Sequence, residues 1–159
     1  MLQRYAIELK WGLVFSLSMV AWMIIERLLG FHGSRIEQHA FFTMTFSLIA
    51  VAVYVLALQD ARKRRFEGSM SYVQGLSTGL GVTIVVAILS PLVQLIIHRV
   101  ISPDFFATMQ SHAVATQKMT AEAAAAYFNL AAYMQQSFVF ALIMGLITSA
   151  IVAFFTRSK

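Results

Sequence analysis

Residues 73–97 read VQGLSTGLGVTIVVAILSPLVQLII, twenty-five positions with no charged side chain. A helix rises about 1.5 Å per residue and a bilayer's hydrocarbon core is about 30 Å thick, so roughly 20 such residues span it. Three more apolar runs match this one: 11–29, 40–58 and 137–155. Lipid offers the backbone no water to hydrogen-bond, so each run must satisfy its own amides as a helix. The expected fold is all-α, an integral membrane bundle of four transmembrane helices with an external amphipathic helical cap over about 102–136. Residues 1–159 form a single transmembrane domain in this reading.

Composition agrees. Apolar residues make up 59% and charged residues 12% of the 159, against about 45–50% and about 25% in soluble domains. A soluble chain of this size has too little interior for that much apolar surface. An ordinary soluble enzyme, a disordered chain and a nucleic-acid-binding domain are excluded. With no cysteine, disulfides, thiol nucleophiles and thiolate metal sites are excluded too.

The net charge of +5 comes from basic residues at the ends of the apolar runs, which points to membrane topology. With the N-terminus inside, Arg4, Lys10, Arg62, Lys63, Arg64, Arg65, Arg157 and Lys159 are cytoplasmic. Arg35, Arg99 and Lys118 face out, with Arg27 at the boundary. Both termini are therefore expected on the cytoplasmic side of the membrane, and the 62–65 run acts as an anchor touching anionic lipid headgroups. The first run is read as retained, because Glu26 and Arg27 stand where a signal peptide would carry small residues for cleavage.

Polar groups within a span are costly and mark candidate sites. Glu26 lies about 22 Å along the first helix from Trp11. Ser90, Gln94 and His98 share a helix face, and Pro91 between them should kink that helix. His32, Glu37, His39 and Asp104 fall on the same membrane side, as does His112. The ligand or polar-pocket candidates are thus Glu26, Ser90, Gln94, His98, Asp104, His32, Glu37 and His39. Helix packing explains part of this set as well as a pocket does. Imidazole with carboxylate suits a divalent cation, but no recognised ligand spacing such as H-E-x-x-H is present. No metal, cofactor or catalytic residue is assigned. Gly75, Gly79 and Gly81 allow close helix approach, within the bundle in preference to a homodimer. Ser102-Pro103-Asp104 is a helix start, and Thr120 caps a second helix that should run unbroken through 144 into the last span.

The pieces Lys10-Trp11-Gly12, Trp22-Met23-Ile24-Ile25-Glu26, Phe41-Phe42-Thr43, Gln74-Gly75, Ser90-Pro91-Leu92-Val93-Gln94, His98 and Pro103-Asp104-Phe105-Phe106 together resemble a family of small bacterial four-helix membrane proteins known as domain of unknown function 4199. The resemblance covers nearly the whole chain. It implies four inner-membrane spans and supplies no activity, cofactor or catalytic residue. It also hints at envelope lipid or glycan metabolism.

Function is less legible than topology. The leading expectation is a non-enzymatic binding or accessory subunit, with a membrane-protein partner or a second copy as its contact. Two alternatives remain: a small oligomeric transporter or channel using Glu26, Gln94 and His98, and a membrane hydrolase or transferase with an external Glu/His site. An enzyme is the less favoured class.

Overall fold

The computed structural model describes residues 5–158, so Arg4 and Lys159 of the charge argument lie outside the described residues. Among these residues the chain is helical and has no strand. Helix α1 is Ala6–Leu28, followed by a 3-10 turn Ile36–Gln38 and the short α2, His39–Met44. Then come α3 (Phe46–Arg64), α4 (Tyr72–Ile96), a π turn Ile97–Ile101, α5 (Phe105–Ala115), α6 (Ala121–Tyr127) and α7 (Leu130–Thr156). Four segments are long and apolar enough to cross a membrane: Ala6–Leu28, Ile36–Arg64, Tyr72–Ile101 and Leu130–Thr156. They make an all-α bundle of the membrane-spanning type.

Helix α4 is central, packing on α7, α1 and α3. Its small residues let the backbones approach. A Cβ added to Gly79 would lie 2.7 Å from Ser149 Cβ, and one on Gly75 would lie 3.2 Å from Ala153 Cβ, both on α7. Gly81 meets Glu8 of α1, and Gly12 of α1 meets Val85. The glycine spacing 75–79 thus serves contacts inside this chain. Leu58, Met70, Val82 and Val152 fill the space between, and Tyr54 hydroxyl bonds Thr83 Oγ1 at 2.8 Å. Leu17, Leu48, Ile88 and Phe155 point outward, where lipid is the solvent that suits them.

The end that carries the first turn of α1 and the last of α7 is pinned by charge. Asp60 accepts from Lys10 Nζ at 2.9 Å, from Trp11 Nε1 at 2.8 Å and from Arg64 Nε at 2.7 Å. Arg62 donates to the Gly68 and Thr156 carbonyls. Within the basic run 62–65, Arg62, Arg64 and Arg65 therefore have partners inside the protein, while Lys63 is exposed. The turn after α3 reverses at Gly68, whose φ of +90° favours glycine. Helix α4 then starts on a Ser71–Gln74 capping box.

The opposite end carries the cap, and two local expectations change there. The helix expected to run unbroken from 120 to 144 is two helices. Asn129 stops α6 and starts α7: its Oδ1 accepts from Ala132 N at 2.9 Å, while its Nδ2 donates to the Ala125 and Ala126 carbonyls. Phe128 turns inward with Ala113 and Ala124 to join α6 to α5, and Gln110 Nε2 donates to its carbonyl at 2.7 Å. The cap helices thus span 105–127, and the last apolar helix begins at Leu130. Pro91 lies inside α4, which runs on to Ile96 before a π turn. Ser102 does not cap α5, which starts at Phe105 without a side-chain cap. Its hydroxyl is used elsewhere.

Candidate functional site

Glu26 is fully buried in the last turn of α1. The helix ends there on a Schellman turn, with Phe31 N bonded to Glu26 O and Gly30 N to Arg27 O, both at 3.0 Å. Gly30 supplies the required left-handed residue with φ +85°. That reversal folds the chain back, and His32, also buried, comes to rest against the Glu26 side chain. The following turn brings in α2, and with it His39 and Thr43.

The result is compact. Glu26 Oε2 lies 3.3 Å from His32 Nε2, 3.0 Å from His39 Nδ1 and 2.8 Å from Thr43 Oγ1. The ligand-capable atoms of Glu26, His32 and His39 all lie within 4.8 Å of one another. Ser102 Oγ approaches His32 Nδ1 at 2.5 Å, so the π turn after α4 holds the far side of that ring. Glu26 Oε1 is buried with no hydrogen-bond partner. Phe105 roofs the cluster, its ring 5.3 Å from His32 and 4.9 Å from His39. Phe31 stacks on Phe42 and Phe42 on Trp22, making an aromatic wall alongside.

His98 also packs on Phe105, at 5.0 Å between rings. Its Nε2 meets Gln94 Oε1 at 3.0 Å, and Phe106 and Tyr133 pack against it. Its Nδ1 is buried and unpartnered. Glu26 hydrogen-bonds with His32, His39 and Thr43, whereas His98 hydrogen-bonds with Gln94, and the Phe105 ring packs on all three imidazoles. The remaining candidates fall away from both. Ser90 Oγ donates to the Ala87 carbonyl of its own helix. Asp104 is exposed at the start of α5, and Glu37 is exposed on the 3-10 turn.

Two cluster residues escaped the sequence reading as site groups. Thr43 follows His39 by four on one helix, so a helical reading of 39–44 could have raised it. Ser102 carries no such signal, because it reaches His32 across seventy positions of sequence.

A bundle of four apolar helices, with carboxylate, imidazole and hydroxyl groups gathered under an aromatic roof at one end, defines a small polytopic membrane protein with a buried polar site. The chain belongs to the family described as protein of unknown function (DUF4199), whose model matches residues 10–158. No curated protein and no solved structure matches it.

Proposed function

We propose that the protein is a non-enzymatic binding or accessory subunit of the bacterial inner membrane, with both termini cytoplasmic, serving an enzyme of envelope lipid or glycan metabolism. The observation that carries this reading is the closed middle of the bundle. Gly12, Gly79 and Gly145 bring α1, α4 and α7 so close that side chains from the facing helix occupy the place of a Cβ. Polar groups form separate sets, at the basic end and at the cap end, with Tyr54–Thr83–Ser149 between. A permeation route would need those sets joined. A subunit that works through its outer faces and rims needs a rigid body, which such close packing supplies.

The orientation follows from Lys10, Arg62, Lys63, Arg64, Arg65 and Arg157 clustering at one end, opposite Arg27, Arg35, Arg99 and Lys118. The absence of native cysteine makes single introduced cysteines clean reporters. Ser158→Cys should label only from the cytoplasmic side and Thr116→Cys only from the outside. For the accessory role, a photo-crosslinking residue at Leu17, Leu48, Ile88 or Phe155 should give one discrete protein adduct from one face and lipid adducts from the others. Lipid adducts from every face, together with a proton or solute flux in proteoliposomes that Glu26→Gln abolishes, would replace this reading with a transporter.

A further inference from the structure

We infer that Glu26, His32 and His39 form a binding site for a divalent transition-metal ion of the zinc class, a clasp that ties the end of α1 to α2 and, through Ser102, to the π turn. This does not depend on the accessory role proposed above.

The first argument is the donor set. One carboxylate and two imidazoles are the groups that such ions take, in a three-protein-ligand arrangement that leaves a fourth position for a hydroxyl or water. Bonds of about 2.1 Å to a tetrahedral ion place neighbouring donor atoms roughly 3.4 Å apart. Glu26 Oε2 already stands 3.3 Å from His32 Nε2 and 3.0 Å from His39 Nδ1. Only small side-chain movements separate this arrangement from a coordination shell, and Thr43 Oγ1, 2.8 Å from the same oxygen, is positioned for the fourth place.

The second argument is the distribution of partners. A carboxylate oxygen has two in-plane lone-pair sites. Oε2 of Glu26 faces three polar atoms, whereas Oε1, equally buried, faces none. An orphaned carboxylate oxygen inside a protein is expensive. A cation in the space between the carboxylate and the two rings gives the group a charge partner.

The third argument is the support behind the ligands. Metal-bound histidines characteristically hydrogen-bond through their other ring nitrogen, which fixes tautomer and ring direction. His32 does so through Nδ1 to Ser102 Oγ at 2.5 Å. When Nδ1 carries the proton, the Nε2 lone pair faces the Glu26 carboxylate, two acceptors in contact that a cation between them reconciles. The spacing E-x5-H-x6-H matches no common zinc motif because the Schellman turn, not a helix repeat, brings the residues together. His39 keeps 14% of its side-chain surface, which leaves an approach for the ion.

The test uses the full chain in detergent, purified without a polyhistidine tag, stripped with chelator and titrated with Zn²⁺ or Co²⁺. Elemental analysis should find one ion per chain, and Co²⁺ should show the intense visible bands of a low-coordinate site. His32→Ala and His39→Ala should each weaken binding by more than tenfold, and Ser102→Ala by about tenfold. His98→Ala and His112→Ala should bind as wild type. Because a ligand variant can also unfold, the wild-type melting midpoint gives an independent readout and should rise with Zn²⁺ and fall with chelator. Binding of less than about a tenth of an ion to folded protein, binding that survives loss of both His32 and His39, or a midpoint indifferent to Zn²⁺ would each overturn the proposal.

Discussion

Arg65 and Glu8 meet as a forked ion pair, Nη1 on Oε1 at 2.5 Å and Nη2 on Oε2 at 2.8 Å. The pair joins the first helix to the turn after the third, 57 residues apart, with the Glu8 side chain nearly buried against Gly81. Both oxygens are used by one planar partner, which is the geometry that lysine cannot reproduce.

Removing one member strands the other. Arg65→Ala leaves a buried carboxylate and should cost about 2–3 kcal/mol, the scale of hydrogen bonds to a charged group. The Glu8→Ala/Arg65→Ala double variant should cost less than the sum of the single changes, because the orphaned charge is gone. Hydrogen bonds from the Arg65 guanidinium to Glu8 raise its pKa above the ordinary arginine value. A raised pKa gives stability that is fully present below the unfolded value and lost only as pH climbs past the folded one. The Arg65 contribution should therefore be flat through the neutral range. Denaturant unfolding in detergent at several pH values between about 6 and 9 measures both effects.

Helix α4 should tolerate no added methyl at its closest approach. Gly79→Ala puts a Cβ 2.7 Å from Ser149 Cβ and Oγ, and the forced separation of α4 and α7 should cost about 1–3 kcal/mol. Ser149→Gly removes the opposing atoms and should recover most of the loss in the double variant. Gly33→Ala, with nothing within 4 Å of the new Cβ, should stay within about 0.5 kcal/mol of wild type. Melting midpoints of these variants decide the matter.

Phe105 touches the rings of His32, His39, His98, Phe106 and Tyr133 and is 2% exposed. Truncation to alanine should cost about 3–5 kcal/mol. It should also open both histidine groups at once, seen as faster modification of His32 and His98 by diethyl pyrocarbonate. Phe105→Leu should retain the protection and lose far less stability.

The break between α6 and α7 depends on one side chain. Asn129→Ala removes the cap on α7 and two donations to α6, at about 1 kcal/mol. Without it the two helices should partly fuse. Spin labels at Glu122 and Gln136 would then report a longer and broader distance distribution than in the wild type.

The four spans were legible because length and hydropathy alone decide whether a segment can cross lipid, as in the uncharged runs containing Ile84 and Ile147. The packing glycines were legible for a related reason: Gly75 and Gly79 lie four apart on one helix, so their shared face follows from the helical period. The polar site was legible only by membrane side. Spacing suggested a Ser90–Gln94–His98 stripe, yet only Gln94 and His98 pair, since Ser90 satisfies itself on the Ala87 carbonyl. Glu26 found His32 and His39 through a turn whose geometry depends on Gly30, and Ser102 through a π turn that no propensity announces. The division at Phe128–Asn129 escaped notice because neither proline nor glycine marks it; a capping side chain and a buried ring make it instead.

The π turn has one further consequence. Its defining bond runs from Ser102 N to Ile97 O at 2.7 Å, one residue wider than the α repeat, so the segment carries one residue more than regular winding would need. Each helical residue turns the chain by about 100°. Excising a single exposed position there, such as Val100, would turn that bond into an ordinary four-residue α repeat and leave the serine hydroxyl at nearly the same bearing toward the imidazole it holds. Loss of one residue at this point is therefore absorbed by the winding, whereas loss of one from the regular part of α4 would rotate everything beyond it, the serine included, by about 100°.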